Sequence, residues 1–549
     1  MSRKLQLLFL ILFFSLPNSI YGDSNENIGP QSSENVLNSE LSFFVLSDPI
    51  DNYTAIGCGD SFHNPCNSIQ DAIYAFQNKT FFQSNDSNSQ VVTLSTPFVL
   101  NLFGNTHFKS RTVSLDHLNI KFQSYYSNQV TIEGFPIPVE SNFTKEPLFT
   151  VEFTDYTNIV FKNIIFSSFE SSVVKVFFSN SSILFEKCTF VENTFNTGDG
   201  LIDYRSTSSR ENKLISFINC LYVGQKGILG SITINNAKLF IFNSTFGSNK
   251  NLGFVLKNSD LIIDGSSFSA NNIYKQSNGM LQGLFECENC YVTITGSEFI
   301  NHELDVSLLY FKNGRVDISK SKILNNRNYI YYGDYIPGGL IFAQDLDMRI
   351  ANSDFNSNTA NYSILYSSGC QINIESGHFI DNQSFNKTII SIKDSEAFYK
   401  ETIIRSSNPQ NNIISISNSK ATIDQSTILI SKSLSKISAI ECERSELFFI
   451  DSSIENYDND ENLVCNTGCL SYSKGNSTFT TVKRGKIQSS NSLLCPPKVR
   501  KLNGGAIAAI IVCVTAFIVI VVGVVFILKR KNIFIKQNYG QLSDDETPK

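Results

Sequence analysis

Acid–base chemistry in this chain would have to come from few residues. Glycoside hydrolysis needs two carboxyl groups at a set separation. No Asn-Thr-Asp, Asp-Asp or Gly-His-Gly sequence occurs before the apolar segment near the C-terminus. His63, His107, His302 and His378 are scattered, and Asp116-His117 reads as a strand end with a solvent-facing turn. Cys287-x-x-Cys290 has the spacing of a redox or metal pair, but no second such pair and no nearby histidine completes a zinc set. It reads as a structural pair or inert thiols, so the expectation is no catalytic residue, metal or cofactor. Binding is the stronger prospect. Tyr329, Tyr331, Tyr332 and Tyr335 crowd into the insertion Asn326–Gly339, and tyrosines on one loop offer rigid amphipathic contact area. The bland alternative is a loop packing its own rings on the body of the protein. The lack of any Trp counts against a dedicated sugar-stacking platform.

The elements that must position these residues come from a repeat. A short alternating strand, a small or polar pair, Phe or Ile, and often Asn recur as SSILFEKCTFVEN (Ser181–Asn193), AKLFIFNSTFGSN (Ala237–Asn249) and SDLIIDGSSFSAN (Ser259–Asn271). The marker residues are Phe166, Phe190, Leu221, Phe246, Phe268, Phe299, Ile323, Phe355, Phe379, Ile404, Ile428 and Ile454. Their spacing of about 24 residues, with occasional additions of about seven, is that of a solenoid with loops inserted at its turns. Each unit holds three runs of period-2 alternation, as at Phe254–Leu256, Leu261–Ile263 and near Phe268, and no helical pattern fills the gaps. This predicts an all-β parallel β-helix of thirteen or so coils, about 60 Å long at the strand spacing. Asn residues should stack from coil to coil and bond to backbone groups.

The coil resembles the right-handed β-helix of the pectin-lyase-like superfamily over about Thr54–Ile487. The tetrads Phe190–Asn193, Phe246–Asn249, Phe268–Asn271, Phe355–Asn358 and Phe379–Asn382 resemble polymorphic outer-membrane-type F-x-x-N repeats, and Gly338-Gly339-Leu340 is their one Gly-Gly-hydrophobic companion. Ser68-Ile69-Gln70-Asp71-Ala72-Ile73 is similar to the leading helix of many such chains. Its Ser68 and Asp71 fit an N-cap, and Ile69, Ala72, Ile73 and Phe76 form one apolar face. The resemblance implies a polysaccharide-active enzyme as the alternative to a binding protein. Asp116-His117 in SLDHLNIKF resembles a pectate-lyase segment, but no paired Arg motif follows in the matching coil.

Two apolar segments frame the solenoid. Arg3 and Lys4, then Leu5–Phe14, with Gly22 as cleavage position, predict a secretory signal peptide over residues 1–22. Residues 23–53 follow as an N-terminal segment. The β-helix is expected over 54–490, with a cap helix near 68–77 and a Cys-rich C-terminal cap, then a stalk over 491–503. Residues 504–528 hold no charge and suffice to span a bilayer. The signal peptide and the flanking Lys529, Arg530, Lys531 and Lys536 predict a single-pass type I protein of the plasma or endosomal membrane. The small residues from Gly504 to Ala509 could let two such helices approach. The tail 529–549 is too short for a folded domain and should be disordered. Its Tyr539-Gly540-Gln541-Leu542 resembles a tyrosine-based sorting signal, which implies a clathrin adaptor as partner.

Residues 23–503 hold 37 Lys+Arg against 47 Asp+Glu, dispersed and without a basic stripe. This charge pattern argues against nucleic acid and anionic polysaccharide as partners, and the expected ectodomain ligand is a glycan or a protein. Ten N-x-[ST] sequons begin at Asn52, Asn78, Asn85, Asn142, Asn180, Asn243, Asn361, Asn382, Asn386 and Asn476, and several should carry glycans. A secreted domain permits disulfides. Candidate partners by proximity are Cys58 with Cys66, Cys465 with Cys469, and Cys188 with Cys220 as stacked neighbours in successive coils.

Overall fold

The computed structural model describes residues 41–46, 58–61, 63–83, 96–108, 112–126, 128–134, 147–152, 157–177, 180–195, 200–206, 213–227, 232–274, 281–329, 339–407, 409–431, 437–457, 462–483, 486–490, 495 and 504–539. All of these except Leu41 belong to one compact unit, Ser42–Lys549. The predicted signal peptide and most of the N-terminal segment lie outside the described residues.

One coil shows how the sequence sets the path. Strand Phe254–Lys257 leads to a corner at Asn258, strand Asp260–Asp264 to a corner at Gly265, and strand Ser267–Ser269 to a corner at Ala270. The short strand Asn272–Ile273 follows. Each corner residue has positive φ: 47° at Asn258, 57° at Gly265 and 50° at Ala270. Asn and Gly tolerate that region best, which explains the Asn-rich composition. The next coil repeats the path with its strands parallel and in register: Phe254 pairs with Phe285, Phe268 with Phe299 and Asn272 with Glu303. Both the parallel β-helix and an apolar C-terminal helix are thus present.

The third strands carry an inward column running His107, Ile132, Phe166, Phe190, Tyr222, Phe246, Phe268, Phe299, Ile323, Phe355, Phe379, Ile404, Ile428, Ile454 and Phe479. At about 4.8 Å per step the column is about 70 Å long, longer than expected because the register reaches two rungs further at the N-terminal end and one further at the C-terminal end. Leu221 is corrected here: it pairs with the outward Thr189 and Thr245 and is 39% exposed, while Tyr222 takes the inward place. Ring centroids repeat the coil spacing, with Phe246, Phe268 and Phe299 stacked at 5.0 Å steps.

Both ends of the stack are covered. Helix Ile69–Gln83, longer than expected, starts at Ser68, whose Oγ accepts the Asp71 N–H at 3.1 Å. It buries Ile69, Ala72, Ile73 and Phe76, and the Phe76 ring stacks on Phe98 of the first coil at 3.8 Å. The N-terminal segment contributes more than expected. Strand Leu41–Leu46 buries Phe43 and Val45 against this end, with Leu46 N–H bonded to the Cys66 carbonyl. At the other end, Thr478–Lys483 turns back antiparallel as Lys486–Ser490, and a disulfide holds Cys495, within the expected stalk, to Cys465.

The helix Gly504–Tyr539 contains the 20-residue span Val512–Lys531, apolar enough to cross a membrane and not covered by the rest of the protein. Its apolar residues are exposed all round, Phe517 at 68% and Val519 at 71%, as expected for a helix surrounded by lipid. The helix continues eleven residues past Leu528, which corrects the expectation of disorder for residues 529–539, while 540–549 lie outside the described residues. No Pro or Gly interrupts residues 529–539.

Candidate functional site

Three ladders of buried polar side chains organise the corners. In each ladder, the side chain following a positive-φ corner residue points inward and accepts a backbone N–H of the preceding coil. One ladder runs Asn193, Gln225, Asn249, Asn271, His302, Asn326, Asn358 and Asn382, with amide-to-side-chain distances of 2.9–3.2 Å. The second holds Ser244, Ser266, Ser297, Ser321 and Ser353, and resumes with Thr402, Ser426, Ser452 and Ser477. The third includes Ser395, Ser419 and Ser445. Buried backbone donors are thereby paired. The expected Asn stacking is present, and Ser does the same work at the other corners.

This accounting settles Asn382. Its Oδ1 takes the Asn358 N–H, its Nδ2 bonds to the Phe355 carbonyl, and the residue is fully buried. Nδ2 is the atom a glycan would occupy, so Asn382 is corrected from sugar acceptor to ladder residue. Asn326, placed at the edge of the Tyr-rich insertion, is likewise a buried ladder member, and strand Gly339–Ala351 begins where that insertion was expected to end. Asn180, Asn243, Asn386 and Asn476 are exposed, and Asn78 and Asn361 are half-buried. Asn52, Asn85 and Asn142 lie outside the described residues, as do Tyr331, Tyr332, Tyr335 and Leu542. Tyr329 is half-buried and donates its N–H to the Leu304 carbonyl at 2.8 Å. Tyr539 is the last helical residue.

Cys58 and Cys66 are bonded as expected. Cys465 and Cys469 are not partners; the bonds are Cys442–Cys469 and Cys465–Cys495. Stacking is the reason. Pairing of Glu446 with Leu470 sets Cys469 over Ser445, beside Cys442 of the preceding coil. These two disulfides account for the only three-cysteine cluster found among the described residues, Cys465, Cys469 and Cys495. Cys188 and Cys220 are stacked as expected but not bonded to each other, and Cys287, Cys290 and Cys370 likewise lie outside the three disulfides. Asp116 is occupied at its corner, accepting from Ser114 Oγ and from the Glu152 N–H at 2.6 Å each.

The side chains open to a ligand lie on the outer face of the second strands. In Gln371–Glu375, Glu396–Lys400, Lys420–Asp424, Glu446–Ile450 and Leu470–Lys474, alternate residues point outward and stack in columns. One column is Gln371, Glu396, Lys420, Glu446, Leu470; the next is Asn373, Phe398, Thr422, Phe448, Tyr472. Beside the first column is a shallow depression of about 520 Å³, lined also by the corner residues Asp394, Asn418 and Arg444. The Phe448 and Tyr472 rings are stacked at 5.0 Å, with Tyr472 47% and Leu470 46% exposed. Lys420 Nζ is 5.7 Å from the Phe448 centroid and 3.5 Å from Glu396. Lys393 lies 3.9 Å from Asp394, and Asn418 Nδ2 donates to that carboxylate at 2.6 Å. Exposed ion pairs contribute about 0–1 kcal/mol, so these groups can exchange partners for a ligand's hydroxyls or amides at little cost. Sequence reasoning passed over this strip.

A second polar patch lies on a first strand. Glu286 and Glu288 both point outward from Gly283–Thr295. Burial pushes the Glu286 carboxyl up, opposed by the Gln282 N–H at 3.0 Å and by Lys257, while Glu288 is 3.4 Å from Lys257. Glu286 stacks against Tyr310, whose phenol is raised by burial and by both carboxylates. The rings of Tyr310, Phe342 and Tyr366 continue the column, but Phe342 is 4% and Tyr366 7% exposed, so they form no open stacking platform.

No protein-family model and no curated protein matches the sequence. Among solved structures, the chain is similar to the A-module of the Azotobacter vinelandii mannuronan C-5 epimerase AlgE6, at 10% identity, covering 78% of this chain and 97% of that one with TM-score 0.29. It is similar to tailspike protein 3 of bacteriophage CBA120 at 11% identity, covering 86% and 69% with TM-score 0.36. It is also similar to PfbA, a surface adhesin of Streptococcus pneumoniae, at 11% identity, covering 80% and 98% with TM-score 0.26. Likeness at this level carries no functional argument. The parallel β-helix rests on the chain's own strand pairings, and the resemblance to the pectin-lyase-like superfamily is one of coil architecture.

Proposed function

We propose that the chain is a single-pass type I cell-surface glycoprotein whose solenoid serves adhesion, recognition or surface display rather than catalysis. The observation that carries this reading is the stack of half-buried Phe448 on exposed Tyr472 beside the depression at Lys420 and Arg444, on strands whose own sequences hold no sequon. Stacked rings beside mutually compensated charges suit a hydroxyl-rich glycan or a polar protein surface. The tyrosines Tyr329, Tyr331, Tyr332 and Tyr335 are a second candidate contact. The Lys529, Arg530 and Lys531 cluster would face the cytosol, in the plasma or endosomal membrane. An adaptor could engage Tyr539 and Leu542 in extended form only if the last helical turn unwinds. A glycan array probed with the secreted solenoid tests the recognition reading. Binding that falls at least tenfold in Tyr472→Ala and Lys420→Ala supports it, and binding unchanged in both places the contact elsewhere.

The alternative is a membrane-tethered polysaccharide-active enzyme. Glu286 and Glu288 favour it, because one carboxyl is pushed towards its protonated form while its neighbour is paired with Lys257. Polysaccharide cleavage abolished by Glu286→Gln would establish that reading.

A further inference from the structure

Five of the described cysteines outside the C-terminal helix lie outside the three disulfides, and all five are buried. They are not randomly placed. Cys188 and Cys220 hold the corner position that Ser244 and Ser266 occupy in the next coils, immediately before the paired residues Thr189, Leu221 and Thr245. Each Sγ donates to a carbonyl of the preceding coil at 3.3 Å, Cys188 to Phe161 and Cys220 to Phe185. The two residues are therefore stacked in adjacent parallel strands, with the Leu221 N–H bonded to the Cys188 carbonyl at 2.9 Å. Adjacent strands lie about 4.8 Å apart, within the Cα range of about 4.4–6.8 Å that a disulfide bridges. The Cys58–Cys66 bond in this same protein spans 5.0 Å. Cys287 and Cys290 form a second pair on either side of the positive-φ residue Asn289. Both are buried, and the two thiols are in side-chain contact, as are those of the first pair. Cys370 has no such neighbour: Leu346 and Ser395 are its counterparts in the adjoining coils, and Ser395 Oγ accepts its N–H at 3.0 Å. The redox setting is given by the three disulfides of the same domain, since such bonds persist in oxidising compartments.

We propose that the mature protein carries two further disulfides, Cys188–Cys220 between successive coils and Cys287–Cys290 across one corner, leaving Cys370 as the unpaired thiol of the solenoid. The oxidant is a protein or glutathione disulfide of the secretory compartment. A deprotonated thiol of one cysteine attacks a sulfur of that disulfide, forming a mixed disulfide and expelling one donor thiolate. The partner thiolate then attacks the mixed disulfide, forming the new bond and expelling the second donor thiolate. The two cysteines lose two protons and two electrons, and the donor disulfide gains them. Exchange precedes burial, because a thiol enclosed between stacked coils is poorly ionised and out of reach.

The test is differential alkylation of the full chain, purified from a secretory host in detergent. Free thiols are labelled under denaturing conditions with one reagent, and those released by reduction with a second. Peptide mass spectrometry then reads each site. The expected result is the second label at Cys188, Cys220, Cys287 and Cys290, the first label at Cys370, and unreduced cross-linked peptides joining 188 to 220 and 287 to 290. First label at all four cysteines overturns the proposal, as does cross-linking to any other partner. In a Cys188→Ser variant, Cys220 should move to the first label. The Cys188→Ser/Cys220→Ser double variant keeps the Ser ladder and should fold, but its melting temperature should no longer drop through loss of this bond on reduction. A reductant-induced shift equal to that of the wild type would overturn the first bond independently of the mapping.

Discussion

His302 is the one imidazole in a ladder otherwise built from amides, and this makes the stack sensitive to acid at a single rung. Its Nδ1 accepts the Asn271 N–H at 3.0 Å, and its own N–H donates to Asn326 Oδ1 at 3.0 Å. Burial is the chief cause that lowers its pKa from 6.5 to about 4, against smaller opposing contributions from the Asn271 and Phe268 backbone. The folded protein thus binds fewer protons here than the unfolded chain between those two values. Stability is unaffected above about pH 6.5, falls as pH drops through the window, and reaches its full loss below pH 4. A difference of about 2.5 units corresponds to about 3 kcal/mol. His302→Asn removes the titration and restores the local pattern. Asn271 and Asn326 donate their side-chain amides to the Phe246 and Phe299 carbonyls at 3.0 and 2.9 Å, whereas His302 Nε2 makes no well-formed hydrogen bond. Because a solenoid can open coil by coil, the suitable assay is hydrogen exchange of peptides covering 297–304 and 320–327, at pH 7.0, 5.5 and 4.5. After correction for intrinsic exchange, protection of the wild type should fall towards pH 4.5 by about 1–3 kcal/mol more than that of His302→Asn. Identical pH dependence in the two proteins would refute the argument, as would a variant less protected at pH 7.

Other consequences are open to direct measurement. Phe268→Ala removes a fully buried ring stacked 5.0 Å from both Phe246 and Phe299 and should cost about 3–5 kcal/mol locally, read as rapid exchange and protease cleavage confined to neighbouring coils. Asn358→Ala removes the acceptor of the Asn326 N–H at 3.0 Å and the donor to the Ile323 carbonyl at 2.7 Å. It should cost about 2–5 kcal/mol by the same readout, with wild-type protection counting against the ladder as a source of stability. Glycopeptide mapping should find Asn382 unmodified while Asn243 and Asn476 carry sugar, and a glycosylated Asn382 in folded protein would contradict its place inside the coil. If the tail motif is a sorting signal, Tyr539→Ala should slow antibody uptake and enlarge the surface pool, and unchanged uptake kinetics would reject that role.

The period was legible because burial repeats it: one large apolar side chain per coil, followed by a turn residue and a polar ladder residue. The error at Leu221 shows where that signal is weak. Leucine is the more apolar residue of Leu221-Tyr222, yet the alignment of Cys188-Thr-Phe-Val with Cys220-Leu-Tyr-Val places tyrosine inward. The second position after the corner residue Cys188 or Cys220 faces inward, whatever its hydrophobicity, because the side chains of a strand alternate. The same rule explains why the outer aromatic strip was hidden. Strands Glu396–Lys400 and Glu446–Ile450 read EAFYK and ELFFI, with Phe398 outward beside buried Tyr399, and Phe448 outward beside buried Phe449. Aromatic residues on both faces erase the polar-apolar alternation from which burial is read. Only the register with neighbouring coils separates the ring that fills the core from the ring that meets solvent.

Cys58–Cys66 was legible from proximity, but the pairing at the C-terminal end was not, for a related reason. Separation along the chain favours Cys465 with Cys469, but stacking makes residues about 25 apart the nearest neighbours. The observed separations of 27 and 30 are those of adjoining coils. The relevant distance in a solenoid is position within the coil, and Cys188 and Cys220 satisfy it at a separation lengthened by a loop. The Asn382 sequon fails by the same measure. Asn-Gln-Ser is a valid acceptor as a tripeptide, but in the coil it follows Phe379 by three residues, as Asn358 follows Phe355. The Asn382 amide oxygen takes the N–H, and its amide nitrogen a carbonyl, of the preceding coil, and the side chain is fully buried, so a sugar has no room there. A sugar attached before folding would have to be buried for this rung to close, so the folded protein is expected to carry none at Asn382.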